Sequence, residues 1–192
     1  MKPTRKSTGK SVTSNQVRII GGDFRRRMIS FPDGEGLRPT PDRVRETLFN
    51  WLGQELHGQT CLDMFAGSGA LGFEAASRGA KRVVMLELAR TASNQLKANK
   101  DLLKATSAEV IQGDSLAWLA RSTESFDVVF LDPPYASTLL DQALPLVRDR
   151  VHADSRVYLE CASLPDLSGW VVLREGKAGQ VHYLLLEPES LT

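Results

Sequence analysis

The sequence predicts an α/β fold built on a mostly parallel sheet, with an N-terminal β-hairpin arm and an antiparallel hairpin at the C-terminal end. Three observations carry this. From residue 60 onward, short apolar runs alternate with amphipathic helical stretches, the pattern of βαβ units. A glycine-rich turn follows the first of those runs directly. The last two runs, Trp170 to Arg174 and Val181 to Glu187, are joined by Glu175-Gly176-Lys177-Ala178-Gly179 with no helical stretch between them.

Residues 1 to 16 are mostly Ser, Thr, Lys and Arg with almost nothing to bury, and read as a disordered basic tail. Val17 to Ile20, the turn Gly21-Gly22-Asp23 and Arg25 to Phe31 read as a β-hairpin, so that 17–37 forms an arm with Arg25, Arg26 and Arg27 at its tip. The main domain is expected over 38–192. Thr40-Pro41 is a helix start, a cap followed by proline at the first helical position. Val44, Leu48, Trp51, Leu52 and Leu56 then recur on one face, which predicts a helix over 41–56. Strands are expected at Thr60 to Phe65, Arg82 to Glu87, Ala108 to Gln112, Phe126 to Leu131 and Arg156 to Glu160, with helices over 70–78, 90–103, 115–121 and 138–150 between them.

The chain has 192 residues and a formal net charge of +1. That charge is unevenly placed. Residues 1 to 27 hold eight basic side chains against Asp23 alone, a local +7, which leaves −6 for the rest. No apolar run approaches the roughly 20 residues that span a bilayer, and no apolar segment follows the basic start as in a secretory signal. A cytoplasmic protein with no membrane partner is expected. Cys61 and Cys161 read as separate buried thiols, and His57, His152 and His182 lack metal-ligand spacing, so no metal is expected.

Leu62 to Gly72 places Gly67, Gly69 and Gly72 in G-x-G-x-x-G spacing between a strand and a helix, where backbone can approach a ligand closely. The spacing alone also suits a dinucleotide fold or a tight turn with no ligand. Asp63 beside the turn would repel a pyrophosphate but could hold an ammonium. Glu87, at the end of the second strand of the sheet, could accept from both ribose hydroxyls of an adenosine. Gly113-Asp114 follows the third strand; a lone acid there is commonly a helix cap, but three carboxylates at successive strand ends are harder to dismiss. After the apolar run Phe126 to Leu131 comes Asp132-Pro133-Pro134-Tyr135. Two prolines remove two donors and fix φ, leaving carbonyls as acceptors. An amine conjugated into a base ring is a poor nucleophile. Asp132 and the Pro133 carbonyl could take its two hydrogens and aim its lone pair, with Tyr135 stacking on the base.

Asp63 to Gly69, Glu87, Asp114 and Asp132 to Tyr135 look like the ordered motifs of class I methyltransferases acting on amino nitrogens. With Val17-Arg18-Ile19-Ile20-Gly21-Gly22 and Arg38-Pro39-Thr40-Pro41-Asp42-Arg43-Val44-Arg45-Glu46, residues 17 to 187 resemble the RsmD family of bacterial 16S ribosomal RNA guanine-N2 methyltransferases. The resemblance implies a Rossmann-like seven-stranded sheet, S-adenosylmethionine as donor, and a guanine of 16S ribosomal RNA as acceptor. The expected cofactor contacts are Asp63, Phe65, Ala66, Gly67, Gly69, Glu87, Leu88, Gly113, Asp114, Ser115 and Asp132. Asp132, Pro133, Pro134 and Tyr135 are the expected catalytic group. Arg25, Arg26, Arg27, Arg38, Thr40 and Arg43 are the expected RNA contacts, although Arg38, Arg43 and Arg45 could equally be a solvated helix face and the tip arginines an edge-strand guard. The expected partner is 16S ribosomal RNA or an assembled or partly assembled small subunit, met by a monomer. A DNA adenine-N6 methyltransferase is the alternative; it would need a duplex-reading module for which the chain has little room.

Overall fold

A computed structural model describes residues 15–34, 38–134 and 138–190. The tail before residue 15 and Tyr135 therefore lie outside the described residues. A two-stranded antiparallel ribbon, β1 (Asn15–Arg18) and β2 (Met28–Phe31), precedes α1 (Asp42–Trp51). Its first strand starts at Asn15, two residues earlier than the sequence suggests. Then follow β3 (Thr60–Asp63), α2 (Ala70–Ser77), β4 (Arg82–Glu87), α3 (Arg90–Leu103), β5 (Ala108–Gln112), α4 (Ser115–Arg121), β6 (Phe126–Leu131), α5 (Leu139–Arg148), β7 (Val151–Cys161), β8 (Trp170–Ala178) and β9 (Val181–Pro188).

The sheet has seven strands in the order β5-β4-β3-β6-β7-β9-β8, parallel through β7 and antiparallel at β9 and β8. The Rossmann-like architecture is the one expected. Its strand order reverses between β3 and β6, and in open α/β sheets that switch point is where ligands bind, beyond the strand C-termini. The strand pleat sorts the core into two layers. Cys61, Val83, Met85, Val128 and Phe130 face α1, α2, α3 and the ribbon, while Leu62, Val84, Leu86, Val129 and Leu131 face α4 and α5.

Other boundaries differ from expectation as well, β2 beginning at Met28 rather than Arg25 and β3 ending at Asp63 rather than Phe65. Helix α1 stops at Trp51 because Gly53 and Gln54 take left-handed φ of 89° and 73°, yet Leu56 still reaches the core from the following loop. Strand β7 begins at Val151, five residues early, and absorbs the extra length in a register shift opposite Phe126 to Val128. The turn-rich Glu175 to Ala178 continues β8, with Gly176 lying against the Tyr183 ring, and the chain reverses only at Gly179-Gln180.

The ribbon is bound into the body rather than free. Val17, Ile19, Ile29 and Phe31 are buried in the same core as α1 to α3. Glu74 of α2, fully buried, accepts from the Ile20 and Gly21 amides at 2.9 and 2.8 Å and pairs with Arg45 and Arg78. Gly22, at φ 70°, lies against Ser77, where a Cβ would come within 1.8 Å of the carbonyl oxygen. Arg45, read as a candidate solvated residue, is fully buried: its guanidinium donates to the Thr40 and Arg18 carbonyls and to Asp42 and Glu74. Truncating one member of such a network leaves buried charges unpaired. Glu74→Ala should therefore lose about 3–5 kcal/mol of stability in urea unfolding. Gly22→Ala should lose less while opening residues 19–28 to limited proteolysis; protection equal to wild type would show that the ribbon does not depend on this contact.

Candidate functional site

The C-terminal edges of β3, β4, β5 and β6 surround a cavity of about 570 Å³, and most of the expected cofactor contacts line it. The turn after β3 contributes Asp63, Phe65, Ala66 and Gly67; the end of β4 contributes Glu87 and Leu88; the end of β5 contributes Gly113, Asp114 and Ser115. Asp132, Pro133 and Pro134 close the side at β6, and Asp33, Gly34, Arg38 and Thr40 close the mouth from the segment after the ribbon.

The three glycines of the turn have different jobs. Gly67 lines the cavity at φ 49°. Gly69 does not: at φ 82° it begins α2, and a Cβ there would meet Leu96 at 2.6 Å and Phe73 at 2.7 Å. Gly72 likewise gives room to Met85, 2.7 Å from the Cβ position. The fingerprint spacing thus combines one ligand-facing position with two that let α2 and α3 pack closely on the strands.

Each acidic side chain is held by backbone donors. Asp63 accepts from the Gly72 amide at 3.0 Å. Burial pushes its carboxyl up to about 7, against the lowering effect of the Gly72 and Phe65 amides, and the nearby Glu87 adds to the rise. Glu87 takes the Gly67 amide on one oxygen at 2.9 Å and the Ala89 amide on the other at 2.7 Å, which aims it across the turn. Asp114 caps α4 through the Ala117 amide at 2.8 Å, and it lines the cavity as well, so the two readings of that residue coexist.

Thr40 was expected as a cap. Instead Pro41 occupies the cap position without a side-chain bond, and the buried Thr40 hydroxyl lies 2.8 Å from Glu160 Oε1 and 3.3 Å from Asp132 Oδ2. Tyr158 donates to the same Glu160 oxygen at 2.9 Å. Burial, then the charges of Glu160 and Asp63, raise the Asp132 carboxyl well above the usual range, and burial raises Glu160 too. Glu160 and Tyr158 were missed in the sequence. The available signal was the rule applied to Asp63, Glu87 and Asp114: Arg156 to Glu160 also ends in an acid. Pro133, Pro134 and Glu160 line a second cavity of about 210 Å³, alongside Cys161 and Ser163.

The expected RNA contacts are spread out. Arg38 is exposed at the cavity mouth, while Arg43 is exposed on α1 and lines neither cavity. Arg25, Arg26 and Arg27 are exposed at the ribbon tip, where Asp23 donates to the Ser77 carbonyl and Arg27 to the Leu102 carbonyl. Leu102 lies in the last turn of α3, whose first residue Arg90 adjoins the cavity wall at Ala89 and Thr91, so at 1.5 Å per residue the tip lies about 18 Å from the cavity. The tip does not overhang the site.

Residues 17–187 match the family described as Conserved hypothetical protein 95. Ribosomal RNA small subunit methyltransferase D of Escherichia coli K12 is 43% identical over 183 residues, 92% of this chain and 92% of that one. Its Haemophilus influenzae counterpart is 46% identical over 181 residues, 90% and 94% of the two chains. A solved Escherichia coli structure described as a methyltransferase superimposes with a TM-score of 0.84 at 42% identity, covering 92% of this chain and all of that one. With this extent of match on both sequence and fold, the chain belongs to the Conserved hypothetical protein 95 family, the RsmD family of small-subunit ribosomal RNA methyltransferases.

Proposed function

We propose that the protein methylates the exocyclic amine of a base in small-subunit ribosomal RNA, guanine N2 being the acceptor expected, with S-adenosylmethionine as donor. The observation that carries the reading is Asp132, which lines the larger cavity at the switch point of the sheet and is met by the Thr40 hydroxyl. An adenine in duplex DNA is disfavoured, since the named relatives act on ribosomal RNA and the described residues form no module that would enter a duplex groove.

The donor set of the large cavity fits S-adenosylmethionine. Glu87 keeps lone pairs for two ribose hydroxyls after accepting two amides, Asp63 offers negative charge to an ammonium beside the glycine turn, and Phe65 and Leu88 supply apolar wall for an adenine. Bound there, S-adenosylmethionine would supply an electrophilic methyl on a sulfonium that leaves as a neutral thioether. Asp132 accepts an amine hydrogen and draws the lone pair out of the ring, and the proton that the methylated nitrogen sheds passes to Asp132 or to water; orientation and exclusion of water do most of the rest. Arg38 at the mouth and Arg25 and Arg26 at the tip are proposed as phosphate contacts, separated by a stretch that a folded RNA can span.

Tritium transfer from S-adenosylmethionine to small subunits, 16S RNA and duplex DNA tests the whole reading, and preference for DNA would overturn it. Asp132→Ala should keep S-adenosylhomocysteine affinity while losing about 100-fold or more in turnover; near-normal turnover at saturating RNA would refute its role. A ligand ammonium favours the ionised form of Asp63, whose carboxyl titrates at about 7 in the free protein, so binding must release a proton below that pH. Calorimetry should show S-adenosylhomocysteine affinity constant above pH 8 and falling up to about tenfold per unit below 7. Flat affinity down to pH 5.5 would remove Asp63 from the ligand's surroundings. Replacing Arg25 and Arg26 by Ala should flatten the salt dependence of RNA binding by about 0.7 to 0.9 in log-log slope per lost contact, with cofactor affinity unchanged. An unaltered slope would take the tip out of the RNA path.

A further inference from the structure

We propose that Glu160 reads the acceptor base: with the base in the 210 Å³ cavity beside Pro133 and Pro134, Glu160 on that cavity's wall accepts the ring N–H while Asp132, which lines the adjoining larger cavity, accepts a hydrogen of the exocyclic amine, a pairing only guanine can satisfy. This deepens the base-amine reading above and rests on it.

The geometry comes first. Leu131 and Leu159 are register partners on the parallel strands β6 and β7, so Asp132 and Glu160 leave adjacent strand ends side by side. One hydroxyl, that of Thr40, lies within hydrogen-bond distance of both carboxylates and fixes their spacing. Thr40 and Tyr158 both address the Oε1 oxygen of Glu160, and among the described residues no donor meets Oε2. Glu160 is 5% exposed, so its free acceptor is nearly dry and aimed by two fixed partners, yet it lines the smaller cavity. Pro133 and Pro134 border both cavities, which makes them the partition between donor space and acceptor space. The smaller cavity is well under the size of a drug-binding site, on the scale of a single planar base.

The chemistry then selects the base. On its pairing edge the amine of adenine is flanked by the N1 lone pair and that of cytosine by the N3 lone pair, whereas guanine N2 is flanked by N1–H. Two neighbouring carboxylates present acceptor beside acceptor. Guanine meets them with donor beside donor, while adenine or cytosine would set a lone pair against Glu160 in a place water cannot relieve. Burial raises both carboxyls and the charge of Glu160 raises Asp132 further, and two base N–H groups are what would offset that burial and repulsion. Asp63 on β3 and Tyr158 beside Glu160 are the further titratable groups that act on the pair, and neither is a cation.

The test is 2-aminopurine, which keeps the 2-amine but carries a lone pair at N1. The methylated position is first located by mass spectrometry on small subunits treated with the wild-type protein. Subunits are then rebuilt with guanine or 2-aminopurine there. The wild type should prefer guanine by about 100-fold in kcat/KM. Glu160→Gln can turn its amide N–H toward the N1 lone pair, and should bring the preference below about tenfold with S-adenosylhomocysteine affinity intact. Glu160→Asp, which keeps the charge but withdraws it by one methylene, should lose more on guanine than on 2-aminopurine and so decides the matter should the glutamine variant not fold. An unchanged ratio in the folded variants would overturn the assignment of Glu160 while leaving base methylation standing. Methylation of an adenine or cytosine amine, or of no base, would overturn the base-amine reading itself.

Discussion

The buried ion pair between Arg45 and Glu74 is the interaction on which the remainder depends. A carboxylate and a guanidinium with no exposure are costly unless every lone pair and proton is used, and here they are used to tie distant segments together. Glu74 takes the Ile20 and Gly21 amides and the Arg78 guanidinium, so the ribbon and α2 share one anchor. Arg45 reaches back from α1 to the Arg18 and Thr40 carbonyls. Its grip on Thr40 carries the network into the site, because the Thr40 hydroxyl is what stands between Asp132 and Glu160. The fixed spacing of two carboxylates thus rests on an ion pair in the core layer on one face of the sheet. Such pairs add little net stability compared with apolar packing, but they specify one arrangement.

How much was legible in the sequence follows from how local each signal is. The strands and helices were readable because their periodicity is written in adjacent residues, and the turn after β3 and the Asp132-Pro133-Pro134 corner were readable because each motif is contiguous. The end of α1 was not, since Leu56 keeps the helical spacing while reaching the core from a loop. Arg45 could not be told from Arg43: both stand among charged neighbours on α1, and only the tertiary position of Glu74, 29 residues away, separates a buried arginine from an exposed one. Thr40 looked like a cap because Thr-Pro usually marks one. Its hydroxyl is drawn elsewhere by a residue 120 positions on.

The arm shows the same limit in its consequences. Eight basic residues in the first 27 suggest a tether that carries charge to the active site, and a hairpin with three arginines at its tip fits that picture. The backbone bonds to Glu74 and Ser77 direct the ribbon the other way, along α2 and α3 toward their C-terminal ends. Helix C-termini present carbonyls and partial negative charge, so arginines there are favourably placed for folding as well as for RNA. Arg27 satisfies the Leu102 carbonyl and is the tip arginine most plainly engaged by the protein itself.

Acidity around the cavity, at first sight a poor match for a polyanion, is the feature that separates the two ends of the reaction. Asp33, Asp63, Glu87, Asp114 and Asp132 all line the larger cavity, and such a set of carboxylates favours a ligand bearing sulfonium and ammonium charge over a phosphate. The same field would hold an RNA backbone off. On the proposed reading a base enters by turning away from its phosphates, edge first, toward the acceptors at the ends of β6 and β7. On that reading phosphate contacts are made elsewhere, the exposed arginines at the mouth and at the far tip being the ones proposed. On the proposed reading the exposed arginines at the tip and mouth take hold of the RNA backbone, while the carboxylates around the cavity admit an uncharged ring with hydrogens to give.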